Sequence, residues 1–311
     1  MTSPVYTIFL DQSKAFDRLN NWTLFKTFIE RGMPKLYIKF FCYWFKSQQF
    51  ALKWKSIVSQ LFNVTNGVRQ GGILSPVFFN VYIDDLSHRL TQQGIGCFVN
   101  NTCLNHLSYA DDMVLLAPSP CALQQLLDCC FSYASSHDLL YNTKKSKCMS
   151  FYPRKYEGCS HTFRMGLEIL PTVNTYTYLG VVISDCKSDN HDIQRAIRAQ
   201  YTQGNGLLRK FRKCSKDVKI RLFQTYCSSF YGAHLWSNYT KASIQAMKVA
   251  YNNSYRFLMG LKRDCSISGS LVCDNVLTFG EWRRKLAYSF ITRIAKSENM
   301  LLKSFENTLY Y

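Results

Sequence analysis

The chain has 311 residues, 47% of them hydrophobic and 15% aromatic, and a formal net charge of +18. Such a length is enough for two domains or one large one, and the apolar content suits a packed globular protein. The charge favours an anionic partner, most often nucleic acid. It is unevenly spread: residues 1–186 hold 17 Lys and Arg against 12 Asp and Glu, and residues 187–311 hold 21 against 8, which puts +13 of the +18 in the second part. Thirteen cysteines contain no C-x-x-C pair. That argues against a zinc module or a disulfide framework and for reduced, intracellular thiols used as small apolar residues. No signal peptide opens the chain and no apolar run reaches membrane-spanning length, so no membrane partner is expected.

In chain order, Val5–Leu10 is β-branched and aromatic and reads as a strand ending on Asp11. A strand so close to Met1 leads us to expect an N-terminus that has been cut. Residues 11–17 form a turn leading into a helix. Asn20 or Asn21 caps the next helix, about residues 23–31, which Gly32 closes. Pro34 opens another, with Leu36, Ile38, Phe40, Phe41, Trp44 and Phe45 on it. Residues 50–64 alternate as a hairpin. Residues 66–74 are a glycine-rich loop, and Ser75 and Pro76 supply the cap and first-turn residue of a helix to about Gln92. Residues 101–107 and 113–117 read as two short strands joined by a turn at Asp111 and Asp112. Pro120 starts a helix to about His137, with Leu123, Leu126, Leu127 and Phe131 at helical spacing. A basic turn over residues 142–147 precedes a strand over 148–152, and residues 175–183 form one strong strand. From about Asp189 the pattern is helical almost to the end, broken near residues 266–280. There is no internal repeat.

The chemistry concentrates in three places. Asp111 and Asp112 at a hairpin tip repel each other unless a cation is shared between them, and hard divalent ions take carboxylate oxygens. Asp11, at the end of another buried strand, brings a third carboxylate toward the same sheet edge. Two-metal phosphoryl transfer asks for such a set, with little protein acid–base work beyond positioning and charge neutralisation. The loop of residues 67–72 lets backbone approach a ligand, because glycine has no side chain to obstruct it. Within it Gln70 is placed to line a nucleotide pocket or touch a template, and Arg69 to meet phosphate. No Gly-Lys-Ser/Thr follows, so it is not a P-loop. Arg209, Lys210, Arg212, Lys213, Lys216 and Lys219 cluster in one stretch and, with Arg195 and Arg198, are expected to track a nucleic-acid backbone.

Taken together, residues 11–17, residues 66–76 and Tyr109-Ala110-Asp111-Asp112 resemble the successive signatures of a reverse transcriptase, in the flavour of non-LTR (LINE-type) retrotransposons. Residues 142–147 resemble the lysine-bearing turn that follows in that family, and residues 176–181 its primer-grip strand. The helical remainder is similar to a thumb more loosely, through Tyr231, Gly232, Ala233 and Trp236. The resemblance implies an α+β fold: a polymerase palm of antiparallel sheet with helices over residues 1–186, then an all-helical thumb with a C-terminal extension over 187–311. It implies RNA-directed DNA polymerisation with Mg²⁺ or Mn²⁺, an RNA template, a DNA primer and a dNTP, in the nucleus.

Carried over by position, Asp11, Asp111 and Asp112 would hold the metal. Phe16 would pack under the incoming sugar and exclude a 2′-hydroxyl. Gln70 and Gly71 would border the nascent base pair, and Lys144, ahead of Lys145 or Lys147, would neutralise the triphosphate. Tyr178, Leu179 and Gly180 would grip the primer, and Asp17 would cap the following helix. The family places a fingers region before the first Asp. Its absence leads us to expect exposed apolar surface at Ile8, Phe9, Phe40, Phe41 and Trp44, and a need for that segment or for other element-encoded modules. Another palm polymerase, such as an intron maturase or an RNA-templated RNA polymerase, and an inactive remnant that only binds RNA are the competing readings.

Overall fold

The β-branched run near the N-terminus pairs along both of its edges in the computed structural model of the protein, which describes residues 3–100, 102–153 and 161–305. The chain divides into two compact units, Met1–Val173 and Asn174–Tyr311. In the first, β1 (Val5–Leu10) leads to α1 (Ala15–Arg18), α2 (Asn21–Glu30) and α3 (Lys35–Ser47). Then come β2 (Gln49–Phe50), β3 (Lys53–Trp54), β4 (Ile57–Val58), β5 (Phe62–Asn63) and α4 (Ser75–Gln92). These are followed by β6 (Cys97–Val99), β7 (Thr102–Leu104), β8 (His106–Tyr109), β9 (Asp112–Ala117) and α5 (Pro120–Ser136). β10 (Lys147–Phe151), β11 (Arg164–Met165) and β12 (Glu168–Ile169) complete the unit.

The main sheet has the order β10–β1–β9–β8, all antiparallel, with Ile8 opposite both Cys148 and Leu115. A central strand is covered on both faces, and so Tyr6, Thr7, Ile8, Phe9 and Leu10 are all buried. The expected exposure of Ile8 and Phe9 is therefore corrected, for they are 0% and 3% exposed. That of Phe40 and Trp44, at 58% and 36%, is found on α3, and Phe41 is half-buried against the core. Apolar faces of α4 (Phe79, Tyr82, Leu86, Leu90) and α5 (Leu123, Leu126, Leu127, Tyr133) build one core with the sheet. Tyr133 donates its hydroxyl to the Tyr82 carbonyl at 2.7 Å, and Tyr82 donates to the His137 carbonyl, so both buried phenols are satisfied.

Local rules account for most element ends. Asn20 accepts from the N–H groups of Trp22 and Thr23 and caps α2, and Gly32 takes the left-handed φ of 71° just beyond it. Three expectations are corrected. Ser75 is the first helical residue of α4 rather than its cap, and its hydroxyl turns back to the Arg69 carbonyl. Asp17 lies within α1 and accepts from the Gln70 amide, leaving the α2 cap to Asn20. The strand read over 101–107 is broken at Asn105, which turns inward and donates to the carbonyls of Leu90 and Ile95. As a result β7 pairs with β6, and of the two pieces β8 alone pairs with β9. Phe131 lies on α5 with Leu123, Leu126 and Leu127, as its spacing implies, and stays 42% exposed while they are buried.

The second unit opens with a hairpin, β13 (Thr175–Tyr178) and β14 (Val181–Ser184). Residues 175–183 are thus two strands rather than one, because Leu179 and Gly180 both take positive φ. Helices follow: α6 (Asn190–Phe211), α7 (Lys216–Tyr226), a short 3-10 turn (Ala233–Leu235), α8 (Lys241–Met259), α9 (Ile267–Cys273), α10 (Phe279–Ala295) and α11 (Met300–Phe305). The helical run is interrupted between α7 and α8, where the Asp189 carboxylate takes the N–H groups of Ser237 and Asn238. The expected break near 266–280 is itself partly helical, as α9. Tyr251, Tyr255, Phe223 and Leu258 centre a separate core. Among the described residues no helix is long and apolar enough to cross a membrane. Cys130, Cys148 and Cys227 are buried free thiols, which burial pushes up to about 12 for Cys148 and Cys227.

Ile8→Ala is expected to destabilise the sheet unit by about 2–5 kcal/mol. Trp54→Ala, at a residue 76% exposed, is expected to stay within about 0.5 kcal/mol. Urea unfolding followed by circular dichroism checks both; equal effects would contradict the burial pattern.

Candidate active site

Register gathers the carboxylates. Leu10 pairs with Met113, so the chain leaves β1 at Asp11 beside the start of β9 at Asp112. Tyr109 pairs with Asp112, leaving Ala110 and Asp111 as a two-residue turn in which Ala110 takes φ 53°. Burial first, then the charges of Asp111 and Asp11, hold the Asp112 carboxyl above the usual carboxylate range. Asp11 is fixed through its backbone: its N–H donates to Ser146 Oγ at 3.1 Å, and its carbonyl accepts from Asn142 at 2.8 Å. The basic turn therefore lies against the carboxylates. Lys145 reaches to 3.9 Å from Asp11 Oδ2, whereas Lys144 is exposed along a separate groove and Lys147 bonds back to the Lys144 carbonyl.

The donor set is three hard carboxylates with a shared excess of negative charge, chemistry that fits Mg²⁺ or Mn²⁺. Among the described residues no three His, Cys, Asp or Glu side chains already stand in a metal-holding group. The residues present offer the ligand chemistry, and the backbone places them at one sheet edge.

Beside the turn runs a cleft of about 600 Å³, lined by Phe16, Pro76, Asn80, Asp84, Tyr109 and Ala110 among others. Phe16 stacks on Phe79 with ring centroids 5.2 Å apart, which fixes its ring at the cleft wall. In the glycine-rich loop, Gly67 serves the fold. A Cβ there would stand 2.8 Å from the Asp17 carbonyl oxygen, and the loop hydrogen-bonds to Leu19 and Phe16. Gly71 faces open space. Arg69 lies over the Phe50 ring at 5.0 Å, and Gln70 reaches Asp17 Oδ1 at 3.4 Å.

The family model described as reverse transcriptase (RNA-dependent DNA polymerase) matches residues 1–183. The chain belongs to that family. Over 183 residues it is 30% identical to the Retrovirus-related Pol polyprotein from type-2 retrotransposable element R2DM of Drosophila melanogaster, covering 57% of this chain and 17% of that one. It is 23% identical to the RNA-directed DNA polymerase from mobile element jockey of Drosophila funebris, over 95% of this chain and 33% of that one. This reverse transcriptase chain thus spans between about a sixth and a third of the length of those two relatives. Apo telomerase from Candida tropicalis aligns over 98% of this chain and 51% of its own, at 13% identity and a TM-score of 0.45.

The other residues read from the sequence as primer- or nucleic-acid-binding lie in the second unit. Tyr178 ends β13, and Leu179 and Gly180 form the turn. Arg209 and Lys210 lie in the last turn of α6, and with Arg212 and Lys213 they are exposed, with no ion pair among the described residues. Arg198 is exposed on the same helix. Two other basic residues are engaged inside the unit. Arg195 bonds Asp192 Oδ1 at 2.7 Å, and Lys216 pairs with Asp274. Asp192, a buried carboxylate at 1% exposure, escaped the sequence reading. Its signal is weak: an acidic residue three positions before an Arg at a helix start.

A carboxyl whose folded pKa is raised loses stability as pH rises from its unfolded to its folded value, because the unfolded chain ionises first. Asp112→Asn is therefore expected to raise the melting temperature at neutral pH, and to lose that advantage below the ordinary carboxylate range. Melting curves at both pH values check it; a lower melting temperature at neutral pH would contradict it.

Proposed function

We propose that the chain is the palm and thumb of an RNA-directed DNA polymerase of a non-LTR retrotransposon, with the sheet unit as palm and the helical unit as thumb. It transfers nucleotides from dNTPs to a primer 3′-hydroxyl on an RNA template, in the nucleus. The observation that supports this reading is the backbone placement of Asp11, Asp111 and Asp112 at one sheet edge, where burial first and then the charges of Asp111 and Asp11 oppose the ionisation of Asp112. They would hold Mg²⁺ or Mn²⁺, which when bound supplies the charge that lowers the pKa of the attacking hydroxyl and offsets that of the leaving pyrophosphate.

The protein's own part is positioning and charge. Phe16, held by Phe79 at the cleft wall, is the surface for the incoming sugar. Lys145, beside Asp11, is the lysine of the basic turn best placed to meet the triphosphate, with Lys144 next to it in the chain. Arg69, Gln70 and Gly71 stand on the loop that would border the nascent pair. Tyr178, Leu179 and Gly180 are the primer-holding turn. Arg198, Arg209, Lys210, Arg212 and Lys213 offer exposed charge for the nucleic-acid backbone.

With an RNA template, a DNA primer, dNTPs and Mg²⁺, Asp111→Ala and Asp112→Ala are each expected to lower primer extension by at least about 10²-fold. Binding of the template–primer should persist in both variants. Undiminished extension by either variant would overturn the reading. Template–primer affinity should also fall by about 0.7–0.9 log units per log unit of salt for each phosphate contact. The double change Arg209→Ala, Lys213→Ala should flatten that slope by about 1.4–1.8. A salt-insensitive affinity would remove these residues from the interface.

A further inference from the structure

The turn read as the primer-holding element is fastened to the helical unit through one buried carboxylate. Asp192, in the first turn of α6, accepts three hydrogen bonds. Val182 N–H of β14 donates to Oδ1 at 2.9 Å, Arg195 Nε donates to Oδ1 at 2.7 Å, and Trp236 Nε1 donates to Oδ2 at 2.8 Å. The guanidinium held in this way is itself used, for Arg195 Nη2 donates to the Tyr231 carbonyl at 3.2 Å. Tyr231 in turn lies over the hairpin turn. Its hydroxyl donates to the Leu179 carbonyl at 2.8 Å, and a Cβ added at Gly180 would stand 3.1 Å from its ring. Gly180 takes φ 78°, so both its conformation and the ring beside it exclude a side chain.

These contacts close a circuit from Asp192 through Val182 to the hairpin and from Asp192 through Arg195 and Tyr231 back to the hairpin tip. A buried carboxylate with three donors tolerates little displacement, since each shift leaves a charge or an N–H unpaired. Tyr231 itself is 59% exposed. Its ring is therefore not needed to fill the core, and its hydroxyl bond to Leu179 is a contact with the turn alone.

We infer that Asp192 is a positioning residue for the primer terminus, acting through Arg195, Tyr231 and Val182 to hold the Leu179–Gly180 turn in the one conformation that meets the primer 3′ end. This rests on the reading of that turn as primer-holding. It separates two tasks within the second unit: exposed basic residues hold the duplex, and the Asp192 circuit sets where its end sits.

The test uses the full 311-residue chain and a DNA primer on a longer RNA template, with 2-aminopurine as the primer's 3′-terminal base. Duplex affinity comes from anisotropy of a dye on the template, and the terminus from 2-aminopurine emission. Tyr231→Phe removes only the hydroxyl at the turn, and Asp192→Asn removes the charge at the hub. Expected results are a duplex Kd within about twofold of the parent for both, with the fraction of engaged termini falling by about threefold to tenfold in Tyr231→Phe and by on the order of 10²-fold in Asp192→Asn. Parent-like terminus emission in both variants would overturn the inference. So would equal losses of affinity and terminus signal in Tyr231→Phe, which would show a merely structural role. A parent chain that binds the duplex but gives no terminus signal would overturn it by removing the primer from this turn. A parent that binds no duplex at all would overturn the polymerase reading as well.

Discussion

The partial burial of Asp112 beside two further carboxylates, at the end of the four-stranded sheet, is the constraint on which the rest of the first unit depends. Three carboxylates cannot stay close unless something outside them fixes their backbone. Here the fixing is done by pairing: β1 lies between β9 and β10, with Ile8, Leu115 and Met149 fully buried along it. The register that buries those side chains is the same register that brings Asp11 beside Asp112. A slip of one residue would turn every apolar side chain of β1 to the opposite face. The hydrophobic pattern therefore enforces an arrangement that electrostatics opposes. Ala110 adds to the cost, since a left-handed conformation disfavours a non-glycine residue by about 1–2 kcal/mol. Its small side chain lies on the wall of the cleft shared with Phe16 and Tyr109. Strain at a site supported by a well-packed core is the usual pattern where a position serves chemistry rather than stability.

Much of this was legible in the sequence because it is local. The extent of β1 follows from a run of β-branched and aromatic residues, and α2 and α5 follow from Asn20 and Pro120 at their starts. The Asp pair at a hairpin tip was readable from its apolar flanks. What the sequence hid was decided by partners far along the chain. Nothing local to Asn105 says that it will turn inward to Leu90 and Ile95 and end one strand pairing. Phe131 sits at the same spacing as Leu127, and only the position of the sheet leaves it outward. Residues 175–183 look continuous because Leu179 is an unusual residue for positive φ. The bond from Tyr231, 52 residues later, helps to hold it there.

The basic residues show the same division. Charge density alone puts Arg195, Lys216 and Arg209 in one class. The structure separates them, since Arg195 and Lys216 are paired with Asp192 and Asp274 while Arg209 stands exposed. A count of positive charges therefore overstates how many can meet a phosphate. The placement of the hairpin is also informative. It belongs to the helical unit, bound there by Asp192 and Tyr231. That turn and the basic helices thus belong to one unit, and the carboxylates to the other.

Mn²⁺ binding followed by electron paramagnetic resonance tests most directly whether Asp11, Asp111 and Asp112 share a divalent cation, as proposed. The parent chain with dNTP is expected to quench the free Mn²⁺ signal saturably beyond what dNTP alone does, and Asp11→Asn and Asp112→Asn are each expected to weaken this binding by at least tenfold. Identical Mn²⁺ binding by the parent and both variants would show that these carboxylates do not share the ion.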